Sequence, residues 1–207
     1  MSLHDYISER KRRAFFKRTS TASHPGGVKL SHAKLKQLCP EYYSSPLSPV
    51  AWLDSLIGTR ASKIFGVAQH LLVGDSRAAI VVSVSPSIIA AYSDEFDCVA
   101  LLKFSDIITS MYNLHLNKRL LTVNCYGRGA KVVSDLQNGP LAKNRWTNFR
   151  PIIAEFLSDD LGQISKLKNE IHETEWDRTT VLGHERLKAS GGKTRDGRPS
   201  RCGYPAV

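Results

Sequence analysis

Residues 78–104 read AAIVVSVSPSIIAAYSDEFDCVALLKF, the only long stretch of this chain apolar enough to form the middle of a core. Its two ends, Ala78–Val84 and Cys98–Phe104, are seven-residue runs rich in Val, Ile and Leu, a length and composition that favour strands over helices. Ser85-Pro86-Ser87 interrupts the first run, because proline has no amide to donate to a ladder and restricts the residue before it. A further strand follows over Ser87–Tyr92, and the polar cluster Ser93-Asp94-Glu95 marks a hairpin tip before Cys98–Phe104 returns. Another strand is expected over Arg119–Tyr126, bounded by Gly127-Arg128-Gly129. Apolar residues on both faces of the first and third runs, Ala78–Val84 and Cys98–Phe104, call for cover on both sides there. The expected fold is therefore α+β, with a central antiparallel or mixed sheet of about four strands covered by several helices.

Helices are placed by caps and by apolar stripes. Ser31–Leu38 forms a short one, ended by Pro40. Ser48-Pro49 opens another whose stripe is Trp52, Leu53, Leu56 and Ile57. A third covers Ala61–Val73 and ends at Gly74, and Ser105-Asp106 caps a fourth that carries Ile107, Ile108, Met111 and Leu114. From Pro151 the residues Ile153, Phe156, Leu157, Leu161, Ile164, Leu167 and Ile171 suggest one long C-terminal amphipathic helix over 151–176. Its stripe packs on the sheet or on a protein partner. No window reaches the roughly 20 uninterrupted apolar residues of a spanning helix.

Three segments follow from this reading: a basic arm and linker over 1–30, a single α+β domain over 31–182, and a disordered basic tail over 183–207. The tail is rich in Gly, Ser, Arg and Pro, too poor in apolar surface to offset the entropy of ordering. The four cysteines, Cys39, Cys98, Cys125 and Cys202, show no C-x-x-C pair and no histidine at a zinc-finger interval. Free thiols and the lack of a signal peptide point to the cytoplasm. No cofactor is implied.

Charge is distributed unevenly. Lys and Arg outnumber Asp and Glu by 9 to 2 in residues 1–40 and by 16 to 10 in 116–207, whereas 41–115 holds 4 against 7. A slightly acidic centre with cationic ends suggests a polyanionic partner. Arg10, Lys11, Arg12, Arg13, Lys17 and Arg18 crowd one arm. Arg128, Lys131, Lys143, Arg145 and Arg150 occupy a poorly periodic segment with Trp146 and Phe149 interleaved. Cations suit phosphates and ring faces suit bases, the pairing that single-stranded nucleic acid surfaces use. The plainer alternative is that Trp146 and Phe149 pin the loop to the core.

Two short motifs suggest other chemistries. Asp94, Glu95 and Asp97 form an acidic group that a hard divalent cation would accept, as in a metal-dependent hydrolase or nuclease, although a polar hairpin tip needs the same residues. Gly74-Asp75-Ser76 shares three residues with the Gly-Asp-Ser block of a family of serine esterases, but the Asp-x-x-His partner near the C-terminus is missing; Asp177 and His184 are seven apart. A helix-end turn explains the triplet. His172 reads as an exposed helix residue. The function expected is that of a non-enzymatic nucleic-acid-binding accessory protein, a subunit of a ribonucleoprotein or DNA-processing complex, with a protein-protein scaffold as the alternative.

Overall fold

A computed structural model describes residues 22–43, 59–137, 139, 145–189 and 193–199. The chain runs through α1 (His32–Leu38), a 3-10 turn (Pro40–Tyr42), α2 (Thr59–Val73), β1 (Asp75–Val84), β2 (Ser87–Ser93), β3 (Cys98–Phe104), α3 (Asp106–Met111) and β4 (Arg119–Gly127). It continues with β5 (Asn148–Ile153), a second 3-10 turn (Ala154–Phe156), α4 (Leu161–Glu170), α5 (Glu173–Ala189) and β6 (Arg195–Asp196). The fold is α+β, a six-stranded mixed sheet curled into a half-barrel and packed with helices.

The strand order is β5-β4-β1-β2-β3-β6, antiparallel throughout except for the short parallel pair β3–β6. Ser85-Pro86 is the two-residue turn between β1 and β2, so proline ends the first run as its chemistry requires. Side chains alternate between two cores. Ala79, Val81, Ile89, Ala91, Leu102 and Phe104 point into the larger core, with residues of α1, α2, α4 and both 3-10 turns. Ala78, Ile80, Val82, Ile88, Ala90 and Leu101 point the other way, against Trp176 of α5. Cover on both faces was the expectation, and the described helices supply it.

The expected helix over 151–176 is corrected. Pro151 lies within β5, an edge strand, where a residue without an amide costs no ladder bond if its nitrogen faces outward. After the second 3-10 turn, local polar groups break the run: Ser158 Oγ accepts from the Asp160 amide at 3.0 Å, and Asp160 Oδ1 accepts from the Gln163 amide at 3.1 Å, capping α4. Ile153, Phe156, Leu157, Ile164 and Leu167 do form one apolar set, but they fill this chain's own core. The stripe offered to a protein partner is thus used internally.

A second correction concerns the C-terminal region. Helix α5 runs on to Ala189, and Gly183, where helical periodicity fades, is buried against the sheet. A Cβ at Gly183 would meet Ala90 Cβ and Val82 Cγ1 at 2.8 Å, so the missing side chain is what lets the helix approach so closely. Arg195 and Asp196 then extend the sheet beside β3, giving six strands where about four were expected. The arm over 1–21, the helix expected from Ser48-Pro49 and residues 200–207 lie outside the described residues. Among the described residues no helix is long and apolar enough to cross a membrane.

Candidate nucleic-acid interface

At one end of the half-barrel the hairpin tip between β2 and β3 carries the acidic group, and each of its key carboxylates is already engaged. Arg77, the third residue of β1 and buried, donates from Nε to Asp75 Oδ2 at 2.7 Å, from Nη2 to Asp94 Oδ2 in a shorter contact, and from Nη1 to Glu175 Oε2 at 3.5 Å. Glu175 also accepts from the Ala78 amide at 2.8 Å. Burial raises the pKa of Asp75 and of Glu175 despite the neighbouring guanidinium. Arg77 keeps its charge, because the three carboxylates outweigh the cost of its burial. Asp97 accepts from Arg178 Nε at 3.1 Å, from Arg178 Nη2 at 2.8 Å and from the Tyr92 hydroxyl at 3.0 Å. Burial pushes the Asp97 carboxyl up, but those donors prevail and hold it below the usual range.

These contacts bear on the metal reading. Among the described residues no three His, Cys, Asp or Glu side chains gather as a metal site would require, and Asp94 and Asp97 are turned toward arginines instead. Nor does the Gly-Asp-Ser triplet assemble a triad. Ser76 is buried with its hydroxyl unbonded among the described residues, Asp75 is tied to Arg77, and His184 meets Asn117 Oδ1 at 3.2 Å. His172 is exposed, as expected, though it sits in the turn between α4 and α5, beside Thr174 Oγ1 at 2.9 Å.

Next to the hairpin tip, an aromatic cluster closes the end of the sheet. Phe96 and Phe149 are fully buried with ring centroids 5.7 Å apart, and Tyr126 stacks on Phe96 at 6.4 Å. Trp146, half-buried, lies against Tyr126 at 5.9 Å, and the Arg128 guanidinium sits over the indole 5.0 Å from its centroid. The Thr147 amide donates to the Gly127 carbonyl at 3.0 Å and the Val133 amide to the Thr147 carbonyl at 3.0 Å, which folds the β4–β5 connection onto the start of β5. Phe149 therefore pins the loop to the core, and the Trp146 ring is used within the chain as a seat for Arg128.

The cations singled out in the sequence separate into three groups. Arg10, Lys11, Arg12, Arg13, Lys17, Arg18 and Lys143 lie outside the described residues. Arg128, Lys131 and Arg145 are exposed along the β4–β5 connection, and of these Arg128 sits over the Trp146 ring. Arg150 is exposed too, but strand alternation places it on the opposite face of β5 from Phe149, where its charge reaches His70 of α2. None of Arg128, Lys131, Arg145 and Arg150 has a carboxylate partner among the described residues. Other surface arginines do: Arg119 with Glu173, Arg178 with Asp97 and Arg198 with Asp196.

Sequence reasoning missed the two arginines that organise this end of the fold. Arg195 is fully buried, donating to both oxygens of Asp135 and, at 2.6 Å, to the Phe149 carbonyl. Its position among Gly, Ser and Arg residues resembles that of a solvated tail. For Arg77 a signal was present, since the alternating Asp75-x-Arg77 pair leads directly into an apolar run. No family model, no curated protein and no solved structure matches this chain.

Proposed function

We propose that this is a non-enzymatic nucleic-acid-binding protein that meets the phosphate backbone at the open edge of its sheet. The observation that carries the reading is the set of four exposed cations, Arg128, Lys131, Arg145 and Arg150, flanking β5 with no carboxylate of the described residues to neutralise them. β5 is an edge strand, and among the described residues no further strand pairs with it. A polyanion passing over that edge meets Arg128 on the Trp146 side and Arg150 on the other face of β5, with Arg145 exposed just before the strand. Because Trp146 already packs on Tyr126 beneath Arg128, its part is to hold the guanidinium rather than to stack on a base. Contacts to phosphate carry no sequence information, so binding is expected to be sequence-independent and salt-sensitive.

The test separates local charge from net charge. Binding of a fluorescent oligonucleotide is compared for the triple variant Arg128→Gln, Arg145→Gln, Arg150→Gln and for a control triple Lys36→Gln, Lys63→Gln, Lys188→Gln, which removes the same charge elsewhere. The first should lose affinity by about 10-fold or more and the second by about 2-fold or less. Equal losses in both, or none in either, would overturn the assignment.

A further inference from the structure

The β1–β2 ladder stops one rung short of where its register leads. It pairs Ile80 with Ala90 and Ala79 with Ala91, so the next rung would set Ala78 opposite Tyr92. That rung is open. The Ala78 amide donates instead to Glu175 Oε1 of α5 at 2.8 Å, and the Tyr92 carbonyl accepts from Asn124 Nδ2 of β4 at 2.7 Å. Side chains thus satisfy both backbone groups, and a carboxylate from the first turn of α5 stands where a strand would.

That carboxylate belongs to an unbalanced group. Asp75, Asp94 and Glu175 converge on Arg77, so three acids share one guanidinium. The side chains of Arg77, Asp75 and Glu175 keep only 9%, 4% and 17% of their surface, whereas Asp94 keeps 36% and reaches water. Like charges gathered away from water oppose full ionisation, and retaining a proton relieves them. The other groups that face the cluster supply no second cation. Tyr92 and Tyr126 are phenols that burial keeps protonated, Asp97 is engaged by Arg178, and His24 contributes only its amide, 2.9 Å from Asp75 Oδ1.

We infer that this contact is a proton-dependent latch on α5: while Asp75 and Glu175 hold one proton between them, Glu175 grips the open rung, and release of that proton to solvent loosens the helix start from β1. Glu175 is the member that can withdraw. Its contact with Arg77 is the longest of the three, and it stands on a helix, whereas Asp75 is fixed in β1 and by the His24 amide. Burial raises both carboxyls, so the proton leaves above their ordinary values of 3.8 and 4.5. A carboxyl raised in this way favours the closed contact fully below its ordinary value and loses that contribution as pH rises through the folded value. The latch is independent of the nucleic-acid reading, because none of the cations flanking β5 takes part in it.

Amide hydrogen exchange of the full chain, followed by NMR and corrected for the intrinsic pH dependence of exchange, tests it. The Val81 amide of the same strand, which donates to the Lys118 carbonyl at 3.1 Å, is the internal control. From about pH 5 to about pH 9, protection of Ala78 should fall by about 10-fold or more and that of Val81 by about 2-fold or less. The side-chain carbon-13 signal of Asp75 or Glu175 should titrate over the same interval. Glu175→Gln keeps an acceptor for the Ala78 amide but has no proton to lose, so Ala78 protection should become flat, and Asp75→Asn should act likewise. Protection of Ala78 that is constant in the native sequence, a fall of equal size at Val81, or a fall that persists in either variant with a native circular dichroism spectrum would overturn the proposal. Carbon-13 titration of the native chain decides the matter even where a variant does not fold: both carboxyls titrating at or below their ordinary values would overturn it as well.

Discussion

Arg195 meets Asp135 in a two-point ion pair, Nε to Oδ2 at 2.5 Å and Nη2 to Oδ1 at 2.9 Å, with both side chains buried. The pair joins the segment after α5 to the β4–β5 connection, and Arg186 Nη2 adds a bond to the Asp135 carbonyl at 2.5 Å. Removing one member leaves the other buried and unpaired, a loss that costs about 3–5 kcal/mol. Arg195→Met and Asp135→Leu should each lower stability by about that amount in urea unfolding. The double variant should be less destabilised than the sum of the two, because no charge is then left unpaired.

Asp97 combines two constraints, a φ of +47° and a carboxylate shared by Arg178 and Tyr92. Asn tolerates that backbone conformation better than Ala does. Asp97→Ala is therefore expected to cost about 2–4 kcal/mol, and Asp97→Asn less, in the same unfolding experiment. The sign of the pH effect follows from the lowered carboxyl pKa of the folded chain: the stabilisation is present above the ordinary value of 3.8 and is lost as pH falls through the folded value.

His70 should act over a higher pH window. It is buried, its Nε2 donates to the Val123 carbonyl at 2.9 Å, and burial, aided by the charge of Arg150, lowers its pKa from 6.5 to about 4. The unfolded chain then binds the proton more readily than the folded one, so this group favours the folded state fully above about pH 6.5. Its contribution declines as pH falls toward 4, by about 3 kcal/mol in all. Unfolding midpoints between pH 7 and 4 should fall more steeply in the native sequence than in His70→Gln. Arg150→Gln should raise the His70 pKa measured by NMR.

Trp146 is expected to matter through Arg128. Loss of the cation–π contact frees a guanidinium that the ring now holds, an effect of about 0.5–1 kcal/mol. Trp146→Ala should weaken oligonucleotide binding by about 2- to 5-fold, and Trp146→Phe, which keeps a ring under the cation, by less. A larger loss in Trp146→Phe than in Trp146→Ala would contradict this role.

Much of the sheet was legible because burial on both faces demands continuous apolar runs, and β1, β2 and β3 are such runs. β4 was readable from its bounding turns. β5 escaped notice because Arg150 and Pro151 sit at its centre, residues that an edge strand tolerates and a central strand does not. The apolar stripe over 153–171 was genuine, but Asp160 and Ser158 redirect the backbone within it, and tertiary burial needs no continuous helix. Gly183 resembled the start of a tail because composition cannot reveal that a small residue serves close helix–sheet approach. As for the candidate site, the excess of cations was visible in the sequence, whereas their pairing was not. Asp94 and Asp97 looked available to a metal until Arg77 and Arg178 were placed beside them.

The most direct test of the nucleic-acid reading is the salt dependence of duplex DNA binding between 50 and 200 mM, roughly the range over which counterion release is measured. With about four phosphates contacted, the log–log slope should be near −3.6, a fall in affinity on the order of 100-fold, and the triple variant at Arg128, Arg145 and Arg150 should reduce the slope by about 2.7. A flat dependence, or a slope unchanged in that variant, would contradict the account.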